Sequence, residues 1–381
     1  MANPMIDLFA KQGQSPWLDF IRRNMLEDGG LRRYVEQDGI RGVTANPTIF
    51  AQAIGAGDDY DPQIADLLRQ GVETQDLFEP IATQDIRQAC DILRPVFDAS
   101  RGSDGFVSIE VSPEKAFDTR ATIDEAARWW KLIARPNLLV KIPATEQGLP
   151  AIEECLAAGI NINITLIFAV EFYERVMEAY LRALERRAAA NEALATVNSV
   201  ASFFVSRVDT AADKLLGAKI AANPEAHRAP LQSLLGTIAV ANTKVAYQRF
   251  LAVFGGERFA KLKARGARVQ RPLWASTGTK NPAYSDILYV QELIGPDTVN
   301  TMPPKTIDAF RDHGTARRTV DEGLDAARDR LAQLAAAGIS LVEITDNLQR
   351  DGVAAFVKSF EEIQATIAVK AERIRARVTA A

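Results

Sequence analysis

The chain has 381 residues, of which 47% are hydrophobic and 25% charged, with a formal net charge of −4. That balance is ordinary for a globular protein in water and argues against nucleic acid or an anionic membrane as the main partner. No apolar run approaches the ~20 residues needed to cross a bilayer. The opening stretch MANPMIDLFAKQGQSPWLDF has no basic region followed by a long apolar one, so no signal peptide is expected.

Short apolar runs alternate with amphipathic stretches along most of the chain. Strands are expected at 17–20, 42–44, 106–111, 138–142, 160–168, 197–205, 269–276 and 298–302. Between them, segments such as IDEAARWWKLIA, PAIEECLAAG and AVEFYERVMEAYLRALERRAAA place apolar residues three and four apart, the helical period. Eight strands with helices between them point to an α/β fold, a single (β/α)₈ barrel of the TIM type. The charged stretch from Arg182 reads as a solvated helix face and turn. From residue 305 onward the chain is helical, alanine-rich and charged. DEGLDAARDRLAQLAAAG and VAAFVKSFEEIQATIAVKAERIRARV read as two helices, the second long enough to pack across a barrel face. No linker rich in Gly, Ser or Pro divides 1–381, so one barrel domain with a helical extension over 305–381 is expected.

Metal and nucleotide chemistry find little support. Cys90 and Cys155 sit in helix-like segments without a CxxC spacing, so reduced thiols in a cytoplasmic setting are expected rather than a disulfide. His227 and His313 lie in polar, loop-like stretches, and there is no HExxH, GxGxxG or GxxxxGK[ST]. Neither a metal nor an organic cofactor is expected.

Chemistry is sought at the C-terminal ends of barrel strands. Read in order, those ends carry Asp19, Thr44 with Asn46, Glu110, Lys141, Asn163 with Thr165, Ser202 and Ser276. A buried polar side chain without a partner costs roughly 1–3 kcal/mol, so a set spread over most strands suggests a polar pocket. Each also has a plainer reading. Lys141, in PNLLVKIPATEQGLPAI, can run its stem along the strand and keep its ammonium in water. Asp19 can cap the next helix, Asn46 before Pro47 can open a turn, Thr165 suits a strand by its branching, Ser202 can be a small packing residue, and Arg207 a surface charge. Glu110 within FVSIEV is harder to set aside, because a carboxylate there needs a proton or a cation.

GVTANPTIF, VSIEVSP, LLVKIPAT, GININITLIF and SFFVSRVD, in this order and spacing, resemble the transaldolase family. WLDF near the start and WASTGTKNP near the end extend the resemblance over about residues 15 to 305, and the length is similar to the longer bacterial members. Where shorter members carry an arginine near the last of these segments, the nearest cation here is Lys280. The resemblance implies metal-free transfer of a dihydroxyacetone unit between sugar phosphates, in the non-oxidative pentose phosphate pathway, by a monomer or homodimer. It implies Lys141 as the Schiff-base nucleophile, Asp19 as the proton carrier, and Glu110 with Thr165 as the groups that hold the exchanged water. Thr44, Asn46, Asn163, Ser202, Phe204, Arg207, Ser276 and Lys280 are implied as the substrate-binding set, with Arg207 and Lys280 on the phosphate. Three alternatives stand beside this: a dihydroxyacetone-releasing aldolase on the same scaffold, whose members are much shorter; a non-enzymatic sugar-phosphate-binding barrel; and a segment of an isomerase fusion, for which 381 residues leave no room.

Overall fold

Eight parallel strands close into a barrel in chain order: β1 (Gln14–Leu18), β2 (Gly42–Thr44), β3 (Phe106–Glu110), β4 (Leu138–Pro143), β5 (Ile162–Ile167), β6 (Ser199–Phe204), β7 (Arg271–Ala275) and β8 (Thr298–Met302). β8 pairs back on β1, with Gln14 opposite Thr298 and Leu18 opposite Met302. The architecture comes from a computed structural model that describes residues 3–225 and 228–379. Every strand residue except Arg271 is buried, as expected where side chains fill the barrel on one face and helices cover the other.

The eight expected strands are the eight observed, with shifted ends. β1 starts at Gln14 rather than Trp17, because two polar residues there find partners inside the fold. Gln14 Nε2 donates to Leu293 O at 2.7 Å and to Thr298 Oγ1 at 3.0 Å, and Ser15 Oγ donates to Asp104 Oδ2 at 2.5 Å. Asp104 also accepts from Trp17 Nε1 and pairs with Arg41 and Arg271, which closes the N-terminal end of the barrel. Gly42 faces the Trp17 ring, and a Cβ there would stand 2.4 Å from it.

The extension departs further from expectation. Its last helix runs from Leu341 to Thr379, starting well before residue 353 and passing straight through Gly352. Gly352 is there for clearance: a Cβ would lie 2.9 Å from Leu166 Cδ2. Leu166 itself sits at φ 59, where the β5–β6 register is irregular. This helix packs on Pro47–Gly55 after β2, on β5, and on Ser206–Ala222 after β6, so it lies across the C-terminal mouth of the barrel. Lys370 Nζ to Asp61 Oδ1 at 2.9 Å, Arg373 to Asp58 at 2.9 Å, and Thr48 Oγ1 to Ser359 Oγ at 2.9 Å hold it down, with Gln349 donating to Ala144 O.

Other local expectations also change. His313 is not in a loop but is the last residue of helix Pro304–His313, held between the carboxylates of Asp286 and Asp312. His227 lies outside the described residues. On the charged stretch, Arg182 and Arg186 are solvated and pair with Glu153 and Glu154 of the preceding helix. Arg187 is instead buried and donates to Ala157 O and Ala193 O. Cys90 and Cys155 are free, buried thiols in helices. Among the described residues, no helix is long and apolar enough to cross a membrane.

Candidate active site

The strand register builds the floor of the mouth. Glu110 on β3 lies opposite Lys141 on β4, and Lys141 opposite Asn163 on β5. In parallel strands, partners at one level send their side chains to the same face, so these three stand side by side in the barrel interior. One step further along, Thr165 is opposite Pro143, and on β6 Ser202 stands two residues beyond Val200, the partner of Asn163. Two residues back on β3, Ser108 is opposite Thr44 of β2.

Hydrogen bonds lock most of this set. Ser202 Oγ donates to Asn163 Oδ1 at 2.6 Å, and Asn163 Nδ2 donates to Ser108 Oγ at 3.0 Å. Thr44 Oγ1 donates to Asp19 Oδ1 at 2.6 Å and lies 2.7 Å from Thr301 Oγ1. Lys141 Nζ sits 3.1 Å from Glu110 Oε2 and 3.4 Å from Ala45 O. Neither Glu110 oxygen has a well-aligned hydrogen bond, and Thr165 Oγ1 is buried without any partner. Buried polar atoms are nearly always satisfied, so such atoms call for an explanation.

A cavity of about 320 Å³ opens above this floor, and most of the expected residues line it: Asp19, Thr44, Asn46, Lys141, Thr165, Ser202, Phe204, Arg207, Ser276 and Lys280. Glu110 and Asn163 are not on its wall. Glu110 lies against the lysine and faces a second cavity, while Asn163 sits beneath Ser202. The Lys141 ammonium therefore does not run out to water; the residue is 4% exposed, with the Phe356 ring centroid 6.0 Å from Nζ.

The plainer readings of the other residues divide. Asp19 caps no helix, since the next one, Arg23–Glu27, has Arg22 at its cap with no side-chain bond. Asn46 does cap: its Oδ1 accepts from Ile49 N at 2.9 Å at the start of Pro47–Gly55, which leaves its NH₂ to offer the cavity. Arg207 is no free surface charge, because its guanidinium carbon stands 5.2 Å from the Phe204 ring centroid and its side chain lines the cavity. Ser276 has φ 55, a conformation costly for a non-glycine residue and often found at functional sites. Its Oγ lies 2.9 Å from Ser206 Oγ.

The electrostatics follow from burial. Desolvation raises the pKa of Asp19 above the usual carboxylate range, although the Thr44 hydrogen bond and the charges of Lys141 and Arg207 pull it down. Glu110 is raised by burial in the same way, against the opposing pull of Lys141. Burial lowers the pKa of Arg207, and lowers that of Lys280, where the Arg207 charge adds to the effect. Two neighbouring cations, Arg207 half-buried and Lys280 exposed, form a ready site for an anion.

Sequence reasoning missed Thr301, Lys305, Thr306 and Phe356, all on the cavity wall. Thr301 carried the same strand-end signal as the others, on β8. Phe356 gave none, since its place depends on a helix folding back over the mouth. Among the described residues, no group of three or more His, Cys, Asp or Glu side chains is arranged to hold a metal ion.

Residues 16–367 match the family described as transaldolase/fructose-6-phosphate aldolase. Among its relatives, Transaldolase 1 of Streptomyces coelicolor is 48% identical over 94% of this chain and 92% of its own length. The transaldolase of Thermobifida fusca is 48% identical over 95% of this chain and 97% of its own, and that of Mycolicibacterium smegmatis 47% identical over 95% and 96%.

Proposed function

The chain belongs to the transaldolase/fructose-6-phosphate aldolase family, and we propose that it acts as a transaldolase, moving a dihydroxyacetone unit between sugar phosphates through a Schiff base on Lys141. The donor is a ketose phosphate, sedoheptulose 7-phosphate or fructose 6-phosphate. The acceptor is glyceraldehyde 3-phosphate or erythrose 4-phosphate, which places the reaction in the non-oxidative pentose phosphate pathway of the cytoplasm. The whole chain, barrel and helical extension together, is taken as one working unit, whether monomer or homodimer.

The observation that carries this reading is the buried Lys141–Glu110 pair beneath a cavity that also holds Arg207 and Lys280. Lys141, having passed its ammonium proton to Glu110, adds to the C2 carbonyl to give a carbinolamine. The carboxyl of Glu110, whose proton is favoured by burial, gives that proton to the departing hydroxyl. Water leaves and the iminium forms. Thr165, with its unpaired hydroxyl, holds the water. Asp19 then takes the C4 hydroxyl proton, the C3–C4 bond breaks, and its electron pair passes to the iminium as an enamine. A carboxylate with a raised pKa suits that task, since a base works best near the operating pH.

The aldose phosphate departs while the three-carbon unit stays bound. Asn46, Ser202 and Thr44 contact its hydroxyls, and Asn163 holds Ser202 in place. Arg207 forks onto the phosphate and Lys280 adds a point charge; Phe204 fixes the guanidinium, and Ser276 contributes its hydroxyl. The second aldose phosphate enters, the C–C bond forms in reverse with Asp19 returning its proton, and water adds to release the new ketose.

One assay tests the transfer. Incubation with fructose 6-phosphate and erythrose 4-phosphate should yield a heptulose phosphate. With fructose 6-phosphate alone, little free dihydroxyacetone should appear. Abundant release without acceptor would make the protein an aldolase instead.

A further inference from the structure

Glu110 lies behind Lys141, away from the sugar cavity. Besides the sugar cavity, a second one of about 250 Å³ lies between β3 and the helices Pro47–Gly55, Phe78–Ala99, Thr119–Ile133 and Leu341–Thr379. Glu110 lines it at the buried side, and Gln75 and Asp76, both exposed, line it where it meets the surface. Its wall is partly aromatic, from Phe50, Phe78, Trp129 and Phe360.

The polar atoms on that wall make the case. Trp129 Nε1 is buried without a hydrogen-bond partner, although indole N–H groups usually find one. Glu125 Oε2, Glu79 Oε2 and both Glu110 oxygens lack a well-aligned hydrogen bond as well, though each acid has a cation beside it: Lys115, Arg128 and Lys141 respectively. All four residues line the same space. A cavity holds water when it offers at least one probe volume, roughly 10–15 Å³, and two to four polar partners per molecule. This one has the room, and a donor and several acceptors on its wall.

We propose that this second cavity is the water passage of the active site, through which the water expelled and later consumed at C2 exchanges with solvent behind Glu110. It rests on the Schiff-base reading above. When the iminium forms, the whole ketose fills the mouth above Lys141 and Phe356 covers it, so the water expelled at that step would have to pass the bound substrate to leave there. A passage behind Glu110 lets it leave before the C3–C4 bond breaks and the departing aldose phosphate opens the mouth. The balance at C2 is unchanged: one water leaves when the iminium forms, one returns when it is hydrolysed, and Glu110 gives and regains one proton.

Isotope transfer reads this directly. Fructose 6-phosphate labelled with ¹⁸O at C2 is given to the enzyme with erythrose 4-phosphate, and the C2 oxygen of the heptulose product is weighed against a no-enzyme control. The native chain should deliver product carrying solvent oxygen. Ile109→Phe near the buried end and Gln364→Trp on the final helix both fill the passage without touching the sugar cavity. In them the expelled water is trapped and returns to the same carbon, so label in the product should rise at least several-fold. Gln364→Trp alters a half-buried position and serves if Ile109→Phe does not fold. Label loss as complete as in the native enzyme in a folded, filled variant would overturn the passage. So would native product that keeps the label while a borohydride-reducible adduct forms on Lys141. Retained label with no adduct would instead overturn the Schiff-base reading.

Discussion

Lys141 Nζ and Glu110 Oε2 are 3.1 Å apart, with side chains 5% and 1% exposed. A pair so removed from water is a poor device for stability, because desolvating both charges offsets most of their attraction. On the proposed mechanism its value lies in chemistry: the carboxyl, favoured in its protonated form by burial, would exchange a proton with whatever is bonded to the lysine nitrogen. Glu110→Gln keeps the shape and removes the exchangeable proton. Turnover should fall by ~10²–10⁴, the usual contribution of a positioned acid–base group, and rapid-quench trapping should place the loss in adduct formation. A variant that forms adduct at the native rate would remove Glu110 from the water steps.

The lysine itself makes a sharper test. Borohydride in the presence of fructose 6-phosphate should fix a three-carbon adduct on the peptide containing LLVKIPATE. Lys141→Arg should abolish turnover, since a guanidinium stays protonated and cannot add to a carbonyl. An adduct on another lysine, with Lys141→Arg still active, would refute the mechanism.

Asp19 was open to a capping role in the sequence, and the structure gives its Oδ1 to the Thr44 hydroxyl instead. Asp19→Ala should leave iminium formation intact and stop the chain of events at C3–C4 cleavage. A ketose adduct should then accumulate, visible by mass spectrometry of the quenched complex, with turnover down by ~10²–10⁴. Native turnover in Asp19→Ala would pass the proton to another group, with Glu110 the next to examine.

Legibility in the sequence followed periodicity. The barrel was readable because buried parallel strands are short apolar runs between helical stretches, and the polar residues at their ends were readable as exceptions to that rule. The start of β1 was not, because Gln14 and Ser15 break the apolar pattern and are satisfied only by Leu293, Thr298 and Asp104, far along the chain. The start of the final helix was hidden by Gly352, which reads as a break and serves instead as clearance for Leu166. That Glu110 borders a second cavity depends on helices converging from four parts of the chain, and no local pattern encodes that.

Asp209, in the helix that begins just before Arg207, gives a pH prediction. Burial pushes its pKa up from 3.8 to about 6, against hydrogen bonds from Ala239 N at 2.7 Å and Tyr289 OH at 2.9 Å. A carboxyl with a raised folded-state pKa stabilises the fold below its unfolded value, and that contribution is lost as pH rises through the folded value. The window is therefore about pH 4 to 6, and the loss amounts to at most about 3 kcal/mol, two units at 1.36 each. Asp209→Asn keeps an acceptor for Ala239 and cannot ionise. The gap in Tm between variant and native chain should move in favour of the variant from pH 4 to pH 7. A gap that stays constant with pH would mean Asp209 does not titrate in this window.

Phe356 brings the final helix to the proposed reaction centre. It is 3% exposed, it lines the cavity above Lys141, and its ring centroid stands 6.0 Å from Lys141 Nζ. That face can attract the iminium on Lys141, an effect worth ~0.5–2 kcal/mol, and the ring also keeps water in the mouth away from C3 of the enamine. Phe356→Leu removes the π face but keeps a cover. Phe356→Ala removes both. If exclusion of water is the larger effect, Leu should retain most of the transfer and Ala should divert it, with free dihydroxyacetone rising several-fold relative to heptulose phosphate. If the cation–ring attraction dominates, both variants should lose turnover to a similar degree, by about 2- to 30-fold at 1.4 kcal/mol per decade, without added dihydroxyacetone. Borohydride-trapped adduct, measured alongside, keeps the two apart: water leaking onto the enamine shortens the life of an adduct that still forms, whereas loss of the ring face lowers the amount formed. Unchanged transfer and unchanged adduct in Phe356→Ala would mean that the helix crosses the mouth without taking part in the chemistry beneath it.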